Sequence, residues 1–198
     1  MGLVYQRCGK INRCNGKVYK CAWKIIQHNL FYILNMKYLD KDLSEFEQVS
    51  QNICNRFVKY AKIPSTSNSE KADNGITPST PEQFEFAKIL ANELIELGLE
   101  KVQVTEYSYV YGRLPATKGF ENIKPFCLLA HLDTVEEVLG FCVKPNVIQN
   151  YDGSLINLKN NIVLDPSKNP YLYQAGQEKD TIITTDGTTL LGGDDKAG

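Results

Sequence analysis

The chain has 198 residues, 42% hydrophobic and 23% charged, with 22 basic against 23 acidic residues and a mean hydropathy of -0.30. That is the profile of a globular protein long enough to bury a core without disulfides or a structural metal. No apolar run approaches the ~18 residues of a membrane-spanning helix, which excludes such a helix.

The near-zero net charge is the sum of two unlike parts. Residues 1–35 carry Arg7, Lys10, Arg13, Lys17, Lys20 and Lys24 and no acid, while 36–198 hold the other 16 basic residues against all 23 acids. Cys8, Cys14, Cys21 and the only tryptophan, Trp23, also lie in the front part. A secretory leader needs an unbroken apolar core after a short basic start. Here basic residues continue to Lys24, and Gln27, His28 and Asn29 interrupt the apolar stretch beyond it. The start Met1-Gly2 lacks the Ser or Thr of a myristoylation signal, having Gln6 instead. The cysteine spacings do not match the close pairs of zinc ribbons. Residues 1–35 are therefore expected to be an extension outside the fold, with Met36 the natural initiator and 36–198 the ordered unit. A basic arm on nucleic acid is the alternative, and it predicts salt-sensitive binding.

From Asp40 to Lys62, Phe46, Val49, Ile53, Phe57 and Tyr60 recur at helical spacing, and Pro64 ends the run. The polar stretch Ser65–Thr80 reads as loop. A second helix starts with Thr80 as cap, Pro81 in the first turn and Gln83 placed to close a capping box. Phe84, Ala87, Leu90, Ala91, Leu94 and Leu97 form its expected buried face, and Gly98 its left-handed end. The period then shortens. Val102 and Val104 alternate, Tyr109–Tyr111 is aromatic and β-branched, and Phe126–Ala130 is a continuous apolar run that reads as a fully buried strand. Residues 143–156 and 160–173 read as loop with short strands. Thr181–Thr185 and Thr188–Leu191 about the pair Asp186-Gly187 read as a hairpin. Helices followed by a buried strand point to a three-layer α/β architecture. There is no internal repeat or low-complexity tract.

Two acidic constellations carry the chemistry. In Ala130-His131-Leu132-Asp133-Thr134, strand alternation puts His131 and Asp133 on the same side, at the strand end where α/β proteins build ligand sites. A neutral imidazole is a good zinc ligand, and a nearby carboxylate can fix its tautomer. Taken alone, such a triplet is more often an ordinary hydrogen-bonded pair. In Leu191-Gly192-Gly193-Asp194-Asp195-Lys196-Ala197-Gly198, two carboxylates come after two glycines that permit a tight turn, an arrangement suited to a cation but also to a solvated acidic turn. Neither phosphate-cradling glycine pattern is present.

Taken together, and with Thr181–Leu191 leading directly into the second block, these strings resemble the tripeptide aminopeptidase branch of the dinuclear zinc exopeptidase family. The likeness runs from about Met36 to Gly198, and its most specific part is Thr184-Thr185-Asp186-Gly187 through Gly198. The long segment Glu136–Lys179 favours that branch over related exopeptidases, deacetylases and desuccinylases of the same fold. The resemblance implies a zinc-exopeptidase-like catalytic domain, of which the amino-terminal part is present, and a cytoplasmic enzyme that uses two zinc ions to release the first residue of short peptides, tripeptides above all. No nucleic acid or membrane partner is implied. His131 would be a ligand to one zinc, Asp133 the catalytic-centre carboxylate that steers it, Asp194 the carboxylate bridging both zincs, and Asp195 a structural partner.

In that family the general base belongs to a Glu-Glu pair placed after the Asp-Asp-Lys block. Glu136-Glu137 precedes that block and is not cast as the base, and His28 lies in the front segment. With two of roughly five ligands, the 198-residue chain is expected to bind zinc weakly and to be inactive alone. The reading from another class is a gene remnant that keeps a half-site without catalysis. Cys54 and Cys127 fall on apolar stretches and read as small buried hydrophobes, while Cys142 falls in loop, as suits a reducing compartment.

Overall fold

A computed structural model describes residues 43–198. The expectations for residues 1–35, with Cys8, Cys14, Cys21, Trp23 and His28, and for Met36 as initiator lie outside the described residues.

Helix α1 (Leu43–Ala61) is the first expected helix. Its apolar stripe turns inward progressively along the chain: Val49 is 42% exposed, Phe57 is half-buried and Ala61 is buried. Helix α3 (Pro81–Glu96) is the second, with Pro81 in its first turn and Gly98 beyond its end at φ +82°, the left-handed region where a side chain would be strained. Between them the expected loop contains a short helix, α2 (Ser69–Asp73), whose first turn is capped by the Asn68 side chain accepting from the Lys71 amide.

Two details of α3 correct the expectation. No capping box forms, because the Thr80 hydroxyl donates to the Thr66 carbonyl and the Gln83 amide reaches the Ser67 and Ser79 hydroxyls. The buried face is centred on Gln83, Phe86, Ala87 and Ala91, with Phe84 half-buried and Leu97 54% exposed. Tyr60 of α1 decides this, since its ring meets Phe86 edge-on at 5.5 Å.

Strands β1 (Glu100–Val104) and β2 (Val110–Arg113) form an antiparallel pair against α3. Strand β3 (Asn146–Ile148) precedes the small pair β4 (Ile156–Asn157) and β5 (Val163–Leu164). A 3-10 turn at Pro166–Lys168 leads into α4 (Pro170–Glu178), a helix in a stretch expected to be loop with short strands. Asn169 caps it by accepting from the Tyr171 and Leu172 amides, with Pro170 at its first position. Strand β6 (Ile182–Thr184) and α5 (Gly193–Lys196) complete the order.

The described chain is thus a mixed α/β one with three two-stranded antiparallel ladders. One core cluster gathers Tyr151, Ile156, Leu172 and Ala175, and a second gathers Ala61, Val143 and Leu191 with Phe57 and Ile183 packed against it.

The expected buried strand is not formed. Residues 126–130 carry no strand pairing, and Phe126, Leu128 and Leu129 are 81%, 55% and 76% exposed. A continuously apolar strand is stable only between neighbouring strands and under covering layers, and no described ladder includes this segment. Cys127 is exposed for the same reason, contrary to its reading as a buried hydrophobe. Cys54 is half-buried, and burial pushes its thiol pKa up.

The expected hairpin at 181–191 is also replaced. Asp186-Gly187 does turn, with Gly187 at φ +92°, but side chains close it: the Gly187 amide donates to Thr185 Oγ1 and the Thr188 amide to Asp186 Oδ1. Strand β6 pairs with β3, Ile183 opposite Val147, and Thr188–Leu191 is not a strand. Among the described residues no helix is long and apolar enough to cross a membrane.

Candidate metal centre

With no strand ladder at 126–130, a local bridge places His131 and Asp133. Thr134 pairs in parallel with Thr66: its amide donates to the Ser65 carbonyl at 3.0 Å, and the Ser67 amide donates to the Thr134 carbonyl at 2.9 Å. Thr134 is buried, and its hydroxyl meets that of Thr66 at 3.3 Å. This bridge brings the Asp133 carboxylate to the Ser67 hydroxyl, which donates to Oδ2, while Oδ1 lies 3.1 Å from His131 Nδ1. The expectation that His131 and Asp133 share one side is met by direct contact, although the strand it rested on is absent.

Both side chains are a little under half exposed. The hydrogen bond with His131, aided by the one from Ser67, holds the Asp133 carboxyl down at about 2 against the opposing effect of its burial. An unfolded Asp titrates near ~3.9, so the folded chain binds this proton more weakly than the unfolded one. The contribution is fully present above about pH 4 and is lost as the pH falls towards 2. Removing the hydroxyl with Ser67→Ala should move the Asp133 midpoint upward in a carboxyl carbon-13 titration. An unmoved midpoint would show that the hydroxyl does not stabilise the carboxylate.

With Nδ1 engaged by Asp133, any metal ligation by His131 falls to Nε2. The ring lies on the wall of a cavity of about 1360 Å³, shared with Phe57, Leu128, Ile183 and Leu191. Glu136 is committed elsewhere, accepting from both the amide and the hydroxyl of Ser69 at the start of α2.

The second constellation forms the turn of α5. Gly192 precedes it at φ +66°, a left-handed backbone conformation that a side chain would strain. Asp194 is exposed, and the side chain of Asp195 lies outside those described. Lys196 runs inward and is only 7% exposed. Its ammonium donates to the Ile63 carbonyl at 3.0 Å and to Ser65 Oγ at 2.6 Å, and lies 3.9 Å from the centre of the Phe86 ring.

His131 and Asp133 are therefore in direct contact, and the turn bearing Asp194 is tied to the same Ile63–Ser67 segment. Among the described residues no group of three or more His, Cys, Asp or Glu side chains is assembled to hold a metal ion. The donors present, an oriented imidazole and an exposed carboxylate, fit part of a metal-ligand set. Sequence reasoning missed Ser65, Ser67 and the inward course of Lys196. Nothing local marks Ser67, which precedes its carboxylate partner by 66 positions.

No family model matches the chain. Over 152 residues, 76% of its length, the chain is 43% identical to the peptidase T of Listeria monocytogenes serotype 4a and covers 36% of that protein. It is 44% identical over 152 residues to the peptidase T of Bacillus mycoides, again covering 36%. The peptidase T of Bacillus cereus strain G9842 is 43% identical over the same length. The chain thus spans about a third of the length of these curated relatives. Over three quarters of its own length, the chain is therefore similar to these peptidase T proteins.

Proposed function

We propose that residues 36–198 form the metal-motif part of a zinc-dependent tripeptide aminopeptidase built on a three-layer α/β catalytic domain and acting in the cytoplasm. The observation that carries this reading is the His131–Asp133 hydrogen bond at 3.1 Å, set within the sequence likeness to peptidase T. A histidine ligand characteristically donates its second ring nitrogen to a carboxylate, which fixes the tautomer and raises ligand basicity.

His131 would hold one ion through Nε2. Asp133 keeps the ring oriented and stays ionised throughout the neutral range, and Ser67 in turn holds Asp133. Asp194 would be the carboxylate shared between two ions, and the short turn of α5 presents it at the surface. When bound, a zinc pair supplies an acidified water and polarises the scissile carbonyl. The roles of these residues are to bind, to orient and to keep the imidazole aimed.

The test is a chimera in which this chain replaces the matching 152 residues of the Bacillus mycoides peptidase T. Loaded with zinc, it should release the amino-terminal residue of a tripeptide, whereas the 198-residue chain alone should not. A folded, zinc-loaded chimera without that activity overturns the reading, and activity of the chain alone overturns the expectation of inactivity.

A further inference from the structure

Lys196 is the least expected residue of the Asp-Asp-Lys block. A cationic side chain taken from water is costly unless its donors are met, and this one is almost wholly buried. Its partners are specific. Ile63 O and Ser65 Oγ sit at the end of the turn after α1, and the face of Phe86 on α3 lies beneath the ammonium. Ser65 is itself 1% exposed, and its carbonyl accepts the Thr134 amide. Two residues on, Ser67 holds Asp133, and Asp133 holds His131. A continuous series of directional bonds therefore runs from the turn of α5 through Ile63–Ser67 to the imidazole, across 131 positions of sequence between Ser65 and Lys196.

We propose that Lys196 is a positioning residue, which fixes the Asp194 turn relative to His131 by anchoring both motifs to the Ile63–Ser67 segment. The significance for catalysis rests on the reading of His131 and Asp194 as metal ligands, but the mechanical coupling does not. An apolar residue of the same length would fill the space and fix no direction. The ammonium fixes one, because its acceptors, the Ile63 carbonyl and the Ser65 hydroxyl, belong to the same short segment whose Ser65 carbonyl accepts the Thr134 amide.

The test is amide hydrogen exchange on the 198-residue protein, comparing Ser67 and Thr134 with Tyr151 and Leu158. The latter two amides donate to Asp180 and Ile162 around the other core cluster. In Lys196→Met the Ser67 and Thr134 amides should exchange about tenfold faster or more, while Tyr151 and Leu158 stay within about twofold. Ser65→Ala keeps the ammonium and removes one acceptor, so it should give the same pattern more weakly and serves if the first variant fails to fold. Lys196→Arg should recover part of the protection. Uniform acceleration of all four amides, or no change at Ser67 and Thr134, overturns the proposal. In the zinc-loaded chimera, Lys196→Met should lower kcat while leaving KM for the tripeptide within about twofold. An inactive parent chimera with the exchange pattern intact would sink the peptidase reading and leave the coupling standing.

Discussion

Asp194→Ala in the zinc-loaded chimera is expected to lower kcat/KM by on the order of 10³-fold, while Asp133→Ala costs about 10- to 100-fold. The difference follows from where each carboxylate would act on the roles proposed above. A carboxylate shared by two ions sets their charge and position, and metal-assisted stabilisation of a developing oxyanion amounts to several kcal/mol, at ~1.36 kcal/mol per decade of rate. On the proposed roles Asp133 would act through the His131 ring, so its loss would leave the ligand in place but free to rotate and change tautomer. Steady-state kinetics with metal content measured in parallel checks the order. Equal losses for the two variants would remove the distinction between shared ligand and orienting partner. Asp194 is exposed, so its substitution should change stability by no more than about 0.5 kcal/mol, and the loss can be assigned to chemistry.

Phe86→Ala should be the most destabilising single change in the first half of the described chain, at about 3–5 kcal/mol. Phe86 is 2% exposed, lies edge-on to Tyr60 and forms the floor beneath the Lys196 ammonium. Truncation opens a void and removes one of the contacts that compensate a buried cation. Phe84→Ala is the control, since that ring is half-buried and is met by the exposed Lys88 at 4.6 Å. Urea unfolding should show a large fall in midpoint for the first variant and a small one for the second. Comparable shifts would mean that the two faces of α3 contribute alike. Domains of this kind are stable by only about 5–15 kcal/mol, so the first variant should sit close to unfolding at room temperature.

Helices were the legible part of the fold, because amphipathic spacing and Pro81 or Pro64 act locally. Even there the inward face of α3 was misread. Phe84 and Phe86 lie roughly 200° apart around a helix, and only the position of Tyr60 decides between them. Helix α4 was readable in principle from Asn169-Pro170, a cap with a first-turn proline behind it. The hairpin expectation failed because the Thr185 and Asp186 side chains satisfy the turn amides themselves, releasing Thr188–Leu191 from pairing. The apolar composition of 126–130 points to burial, yet burial of a strand belongs to its neighbours. At the site, His131 and Asp133 were legible because they stand two positions apart in the sequence. Ser67 and Lys196 were not, because their partners are reached only through the tertiary fold.

The exposed run at 126–130 has a consequence for how the polypeptide behaves in bulk. Phe126-Cys127-Leu128-Leu129-Ala130 is uncharged, free of proline and apolar throughout, and its backbone lacks ladder partners among the described residues. Identical segments on separate molecules can stack with one another as readily as with any intended neighbour. Concentration therefore sets up a contest between folding within one molecule and aggregation between many, and the flanking Lys124 and Asp133 are the nearest charges that oppose the latter. Asp133 acts twice on the folding side of that contest, as a partner to His131 and as a charge beside the apolar run.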